Sequence, residues 1–128
     1  ATSGELNSGA VVMDFNYGDF RALFTGDIGE EEEREIVKRL TGQQVEKAEY
    51  LFDVLKVAHH GSKYSSSSDF LKAVRPALAV IEVGKNSYGH PTAEAMDRLK
   101  EVGARVMRTD QDGEVVVETD GKSWKVGK

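Results

Sequence analysis

Residues 77–83 read Ala-Leu-Ala-Val-Ile-Glu-Val, with Glu82 the one polar side chain in the run. A strand with one wet face alternates apolar and polar residues, and this segment does not. It fits a strand covered on both faces, the habit of parallel sheets flanked by other layers. Parallel neighbours need long crossover connections, usually helical, so the rest of the chain must supply helices between its strands.

It does. Residues 10–17 read as a strand, Tyr17-Gly18-Asp19 as a turn and Phe20–Phe24 as the returning strand of a hairpin. Glu30–Leu40 reads as a helix whose acidic first turn suits the positive end of the helix dipole. Ile36, Val37 and Leu40 give it one apolar side, and the acids at 30–33 read as a solvated start. Residues 53–58 form a short apolar strand. Serines 65–68 read as a loop and cap for a helix over 69–74, which must stop before Pro76. Thr92 caps a helix to about Val102, ended by Gly103. Residues 105–109 and 115–118, either side of Asp112-Gly113, read as a hairpin, with a last strand near Trp124. The pattern predicts a single α/β domain over 1–128.

The chain has no cysteine, which excludes a disulfide framework and a thiolate metal site. No apolar run approaches the ~20 residues of a membrane-spanning helix. The net charge of −5 is uneven: residues 1–55 carry −7, residues 56–91 carry +3 and residues 92–128 carry −1. The overall acidity argues against a stand-alone DNA-binding module. The basic middle suits an anionic substrate such as a phosphate ester, or is a cluster of solvated Lys and Arg.

That middle also holds all three histidines. His59 and His60 sit side by side at the end of the strand over 53–58, followed by Gly61, Ser62 and Lys63, and His90 lies in Tyr88-Gly89-His90-Pro91. Asp27 ends another strand in Thr25-Gly26-Asp27. Sites in α/β folds form just beyond the carboxyl ends of strands. A carboxylate and imidazoles there are the ordinary ligands of a divalent ion such as zinc or manganese. Each residue also has a plainer role open to it: Asp27 as a helix cap, His59 as a packed histidine bonded to a carbonyl, His90 as a turn residue. Ser62 beside His60 raises a serine nucleophile, but the glycine-serine-glycine elbow of serine hydrolases is missing.

Three phrases, taken in order, resemble one family: NSGAVVMDF…FRALFTGDI, DVLKVAHHGSKYSSSSDFLKAVRPALAVIEVG and NSYGHPTAEAMDRLKEVGARVMRTDQDGEVVV. They are similar to the C-terminal metallo-β-lactamase-like domain of the ComEC competence proteins, which form a channel for DNA uptake. The resemblance runs from about Asn7 to Val117. It implies the C-terminal half of an αββα sandwich, a mixed sheet with flanking helices and a C-terminal hairpin. It implies metal-dependent hydrolysis of phosphodiesters, with DNA as partner, in a domain on the extracellular face of a bacterial membrane protein. Asp27 matches the carboxylate that bridges two metal ions. His60 matches a terminal metal ligand, with His59 the alternative ligand or an orienting neighbour. His90 matches a residue that protonates the leaving oxygen or binds phosphate. Ser62, assigned to the catalytic group, and Lys63 are expected to touch phosphate, and Asn7 to bind substrate.

Two departures shape the expectation. A metal-binding histidine common in the superfamily falls near Ser8, where this chain has Asn7-Ser8 and only an amide oxygen to offer. The main ligand cluster, His-x-His-x-Asp-His, is absent, since no histidine precedes His59. The chain is therefore expected to be a fragment, opening at Ala1, with an incomplete metal site and little activity alone. Its natural partner would be the rest of its own polypeptide, and dimerisation is one expected way to cover an apolar sheet face. A non-catalytic docking or DNA-binding module, or a superfamily hydrolase for another phosphate ester, are the alternative readings.

Overall fold

The computed structural model describes residues 2–5, 11–26, 30–40, 50–57, 67–83 and 91–127. Its centre is a six-stranded sheet in the order β1-β2-β3-β4-β5-β6. The strands are Thr2–Glu5 (β1), Val11–Tyr17 (β2), Phe20–Phe24 (β3), Phe52–Lys56 (β4), Pro76–Ile81 (β5) and Arg105–Arg108 (β6). β1, β2 and β3 pair antiparallel, while β3, β4, β5 and β6 are parallel neighbours. Glu30–Leu40 (α1), Ser68–Val74 (α2) and Ala93–Glu101 (α3) make the crossovers. A four-residue helical turn, Thr109–Asp112 (α4), comes after β6 and leads to an antiparallel hairpin of Val116–Thr119 (β7) and Trp124–Gly127 (β8).

Alternation along the strands sorts the core into two layers. Leu23, Leu55, Ala79, Ile81 and Val83 pack with Ile36 and Leu40 of α1, Phe70, Leu71 and Val74 of α2, and Leu99 of α3. On the other face Phe20, Ala22, Val54, Leu78 and Met107 meet Val117, Trp124 and Val126 of the hairpin. β5 is thus covered on both sides, as its unbroken apolar run requires: Leu78, Ala79 and Ile81 are fully buried. Leu78 and Ile81 each contribute about 1.5–3 kcal/mol relative to an exposed side chain.

Helix ends obey local chemistry. The Ser67 hydroxyl accepts from the Phe70 N–H to open α2, and Thr92 does the same for Ala95 to open α3. α2 closes at Arg75 in the left-handed region (φ 43°), because Pro76 cannot continue the helix. Arg21 ties the antiparallel edge to the centre. Its guanidinium forks onto Asp14 and lies 4.2 Å from the Phe52 ring centroid, while the Arg21 backbone N–H donates to the Asp53 carboxylate.

Two expectations are corrected. The strand over 105–108 does not form a hairpin with the strand after it; it joins β5 in parallel, and the hairpin lies one strand later, between β7 and β8. Asp112-Gly113 ends α4, with the Asp112 carboxylate accepting from the Arg108 N–H, so this pair makes no hairpin turn. The acids at 30–33 are not all solvated either: Glu33 is 1% exposed. It precedes Ile36 and Leu40 by three and seven positions, which puts it on the buried stripe of α1. β1 has no counterpart in the sequence reading.

Candidate functional site

β3, β4, β5 and β6 run parallel, so their carboxyl ends share one edge of the sheet. The register pairs Phe24 with Lys56, Lys56 with Val80 and Val80 with Met107 along that edge. The sequence-predicted residues other than Asn7 come after these ends in the chain. Asp27 is three positions after the last residue of β3, His59 and His60 are three and four after that of β4, and His90 is nine after that of β5. Asp27, His59, His60, Ser62, Lys63, His90 and Asn7 all lie outside the described residues. The described residues supply the strand and helix ends that bound those segments.

These ends are fixed by side chains. Thr25, fully buried, donates its hydroxyl to the Lys56 carbonyl at 2.7 Å, clamping the end of β3 to the end of β4. The Val57 N–H donates to the Val80 carbonyl at 2.9 Å, carrying the ladder one step beyond β4. Thr109 makes both bonds with Val83: its hydroxyl oxygen accepts from the Val83 N–H at 2.8 Å and donates to the Val83 carbonyl at 3.1 Å. At the far side of residues 58–66, Glu33 accepts from the Ser67 N–H at 3.0 Å. Gly26, between Thr25 and Asp27, is left-handed (φ 55°), a conformation glycine adopts without cost.

A cleft of about 690 Å³ opens on the hairpin side of the sheet. Phe15, Val54, Val80 and Val117 give it apolar walls, and Lys56, Glu82 and Thr109 stand at its carboxyl-edge end. Lys56, half-buried, and Glu82, exposed, approach to 3.8 Å, an ion pair worth about 1 kcal/mol or less. Among the described residues no group of three or more His, Asp or Glu is placed to hold a metal ion.

Sequence reasoning missed the residues that fix these ends. Thr25 and Thr109 carry no periodic signal; only their places at strand ends could have marked them. Glu33 had a signal, an acid in register with Ile36 and Leu40, but the run of glutamates hid it.

The architecture is that of a mixed α/β domain whose parallel strands end at a common edge, and the comparisons carry it further. The chain is similar to one segment of several longer bacterial proteins. It is 34% identical to ComE operon protein 3 of Bacillus subtilis over 110 residues, which is 85% of this chain and 13% of that protein. It is 35% identical to competence protein ComA of Neisseria gonorrhoeae over 84% of this chain and 15% of that protein. To recombination protein 2 of Haemophilus influenzae it is 36% identical, over 87% of this chain and 13% of that protein. The chain therefore spans about one-seventh of the length of these curated relatives. No family model matches it. No helix among the described residues is long and apolar enough to cross a membrane.

Proposed function

We propose that this chain is part of a metal-dependent phosphodiesterase or nuclease domain, of metallo-β-lactamase type, in a competence protein that takes up DNA. The observation that carries the reading is the parallel order β3-β4-β5, with the Thr25–Lys56 bond clamping the strand ends just before Asp27 and His59-His60. Similarity to three proteins, among them competence protein ComA of Neisseria gonorrhoeae, suggests the setting. The domain would act on DNA at the outer face of the membrane.

The donor set suits zinc or manganese: one carboxylate and neighbouring imidazoles, with no thiolate in the chain. Asp27 and His60 would hold the ion, with His59 as the alternative ligand. When bound, such an ion lowers the pKa of water and neutralises charge developing on phosphate. The remaining work falls to the chain. Asp27 has two oxygens and suits a bridging position. His90 would hand a proton to the leaving oxygen. The Ser62 hydroxyl, the Lys63 ammonium and the Asn7 amide would hold phosphate oxygens. Asn7-Ser8, near the place where many members of the superfamily carry a metal-binding histidine, predicts weak filling of one metal position and low activity for this chain alone.

The test is calorimetric titration with zinc and with manganese, for the chain and for Asp27→Asn and His60→Ala. The expected result is micromolar binding that weakens by about tenfold or more in each variant, as lost metal ligands do. Binding that both variants leave unchanged would move the site elsewhere. No binding by the parent chain would favour a non-catalytic docking role.

A further inference from the structure

We propose that the amino edge of the sheet, where the parallel strands begin, carries a basic strip of Lys72, Arg75, Lys100 and Arg105 that holds the phosphate backbone of single-stranded DNA; the choice of DNA rests on the function proposed above. The net charge of −5 hides a separation of charge within the helix layer. Each crossover helix starts at the carboxyl edge and ends at the amino edge, because it joins two parallel strands. The first turns of α1, α2 and α3 hold Glu30, Glu31, Glu32, Glu33, Asp69 and Glu94, and no basic residue. Their last turns hold Lys38, Arg39, Lys72, Arg98 and Lys100 against Glu101 alone. The helix dipole favours each sign at its own end. Side by side, the three helices turn that local preference into an edge of one sign.

The sheet fixes where two further cations stand. The Arg75 carbonyl accepts from the Leu51 N–H at 3.2 Å, just before Phe52 pairs with Pro76. Arg105 opens β6 opposite Leu78. The two arginines are therefore on neighbouring strands, three positions out of register, roughly 10 Å along the strand direction. Lys72 lies one turn before Arg75, and the Lys100 carbonyl accepts from the Gly103 N–H at 3.0 Å in the bend that leads to Arg105. Lys72, Lys100 and Arg105 are exposed and Arg75 is half-buried. Among the described residues no carboxylate forms an ion pair with any of the four. Arg75 adds an observation of its own. Among the described residues it is the one non-glycine at positive φ (φ 43°, ψ 66°), at a helix end where glycine is the usual occupant. Strain taken on at a cation is explained by the side chain, since glycine would serve the turn better. Tyr50, 37% exposed, comes immediately before Leu51 and supplies an aromatic ring at the same edge. Cations that track a backbone, with a ring on which a base can stack, fit a single strand of nucleic acid.

The experiment is fluorescence anisotropy with a labelled, mixed-sequence single strand in metal-free buffer. It compares the chain with Lys72→Gln, Arg75→Gly, Arg105→Gln and Tyr50→Ser, and with Lys125→Gln on the hairpin as a control of equal charge change. The parent is expected to bind at low salt, its log affinity falling by roughly 3 per decade of salt, as four phosphate contacts require of a single strand. Each neutralised cation is expected to weaken binding about threefold and to lower that slope by about 0.7. Tyr50→Ser is expected to weaken it about fivefold, and Lys125→Gln to change neither quantity. Arg75→Gly is expected to keep the parent's urea midpoint, the relieved strain offsetting glycine's freer unfolded chain, so its loss of binding is not a loss of fold. An equal loss in Lys125→Gln would overturn the proposal, because net charge alone would then explain binding. So would a parent that binds no strand at low salt, or displacement of the strand by polyglutamate of equal charge, which would assign the strip to an acidic protein. The strip and the metal site are read apart. Metal-free binding that falls in the strip variants and persists in Asp27→Asn supports the strip even where zinc titration finds no site, and binding lost only in Asp27→Asn rejects it.

Discussion

Arg108 and Asp110 meet through two parallel hydrogen bonds, Nε to Oδ1 at 3.0 Å and Nη2 to Oδ2 at 2.7 Å. The bond from Arg108 holds the Asp110 carboxyl below its ordinary value. Asp120 is held low for another reason: its Oδ1 accepts from the backbone N–H groups of Ser123 and Lys122 in the β7–β8 turn. Both carboxylates bind protons less readily in the folded chain than in the unfolded one. Their contribution to stability is present above the ordinary aspartate value of about 3.9 and is lost as pH falls through the lower folded values. Carbon-detected NMR titration should place both carboxyl midpoints below about 3.9. A midpoint at or above that value for either residue would contradict the hydrogen-bonded arrangement.

The elements show where sequence patterns suffice and where they mislead. β2, β3, α1, β4, β5 and α3 were legible because apolar period, cap and stop agree in each. The Ser67 and Thr92 caps and the Pro76 stop are local chemistry, readable from a few residues. Asp112-Gly113 misled because the same dipeptide that turns a hairpin also ends a helical turn, and only the Arg108 N–H bond to Asp112 separates the two. The true hairpin turn, Asp120-Gly121, also serves as a docking point. The Asp19 N–H donates to the Gly121 carbonyl at 2.5 Å, joining the β2–β3 turn to the β7–β8 turn. Gly18 sits there with φ 59°, and a Cβ on it would run into the Gly121 carbonyl. Gly103 has φ 78° but open space around it. Gly18→Ala should therefore cost about 2 kcal/mol, and Gly103→Ala about 1 kcal/mol, in urea denaturation. Equal costs would mean that the contact between the two turns carries no weight.

At the scale of the whole molecule, one sheet holds two covers. Helices take one face, and the β7–β8 hairpin takes part of the other, with Phe20 and Trp124 edge to face at 6.3 Å between ring centroids. The sequence suggested a second copy for that second face; the hairpin supplies part of the cover from within the chain. Met13 and Phe24 stay partly exposed on it, at 37% and 41%. The sequence offered Thr25-Gly26-Asp27 and His59-His60-Gly61 as candidate metal ligands. That the strands before them, β3 and β4, end at one edge was not legible, because it depends on strand order, and strand order depends on crossovers that no short pattern encodes. The bonds of Thr25, Glu33 and Thr109 were hidden for the same reason: each joins segments at least 26 positions apart.

The central claim is that Asp27 and His60 act together at this edge. The most direct test is a zinc titration monitored by NMR, reading the ring signals of His59, His60 and His90, the Asp27 amide, and Lys125 as a distant control. The account predicts that His60 and Asp27 shift together at micromolar zinc, with Lys125 unmoved. Histidine rings that stay unchanged until millimolar zinc, or that respond without Asp27, would contradict it.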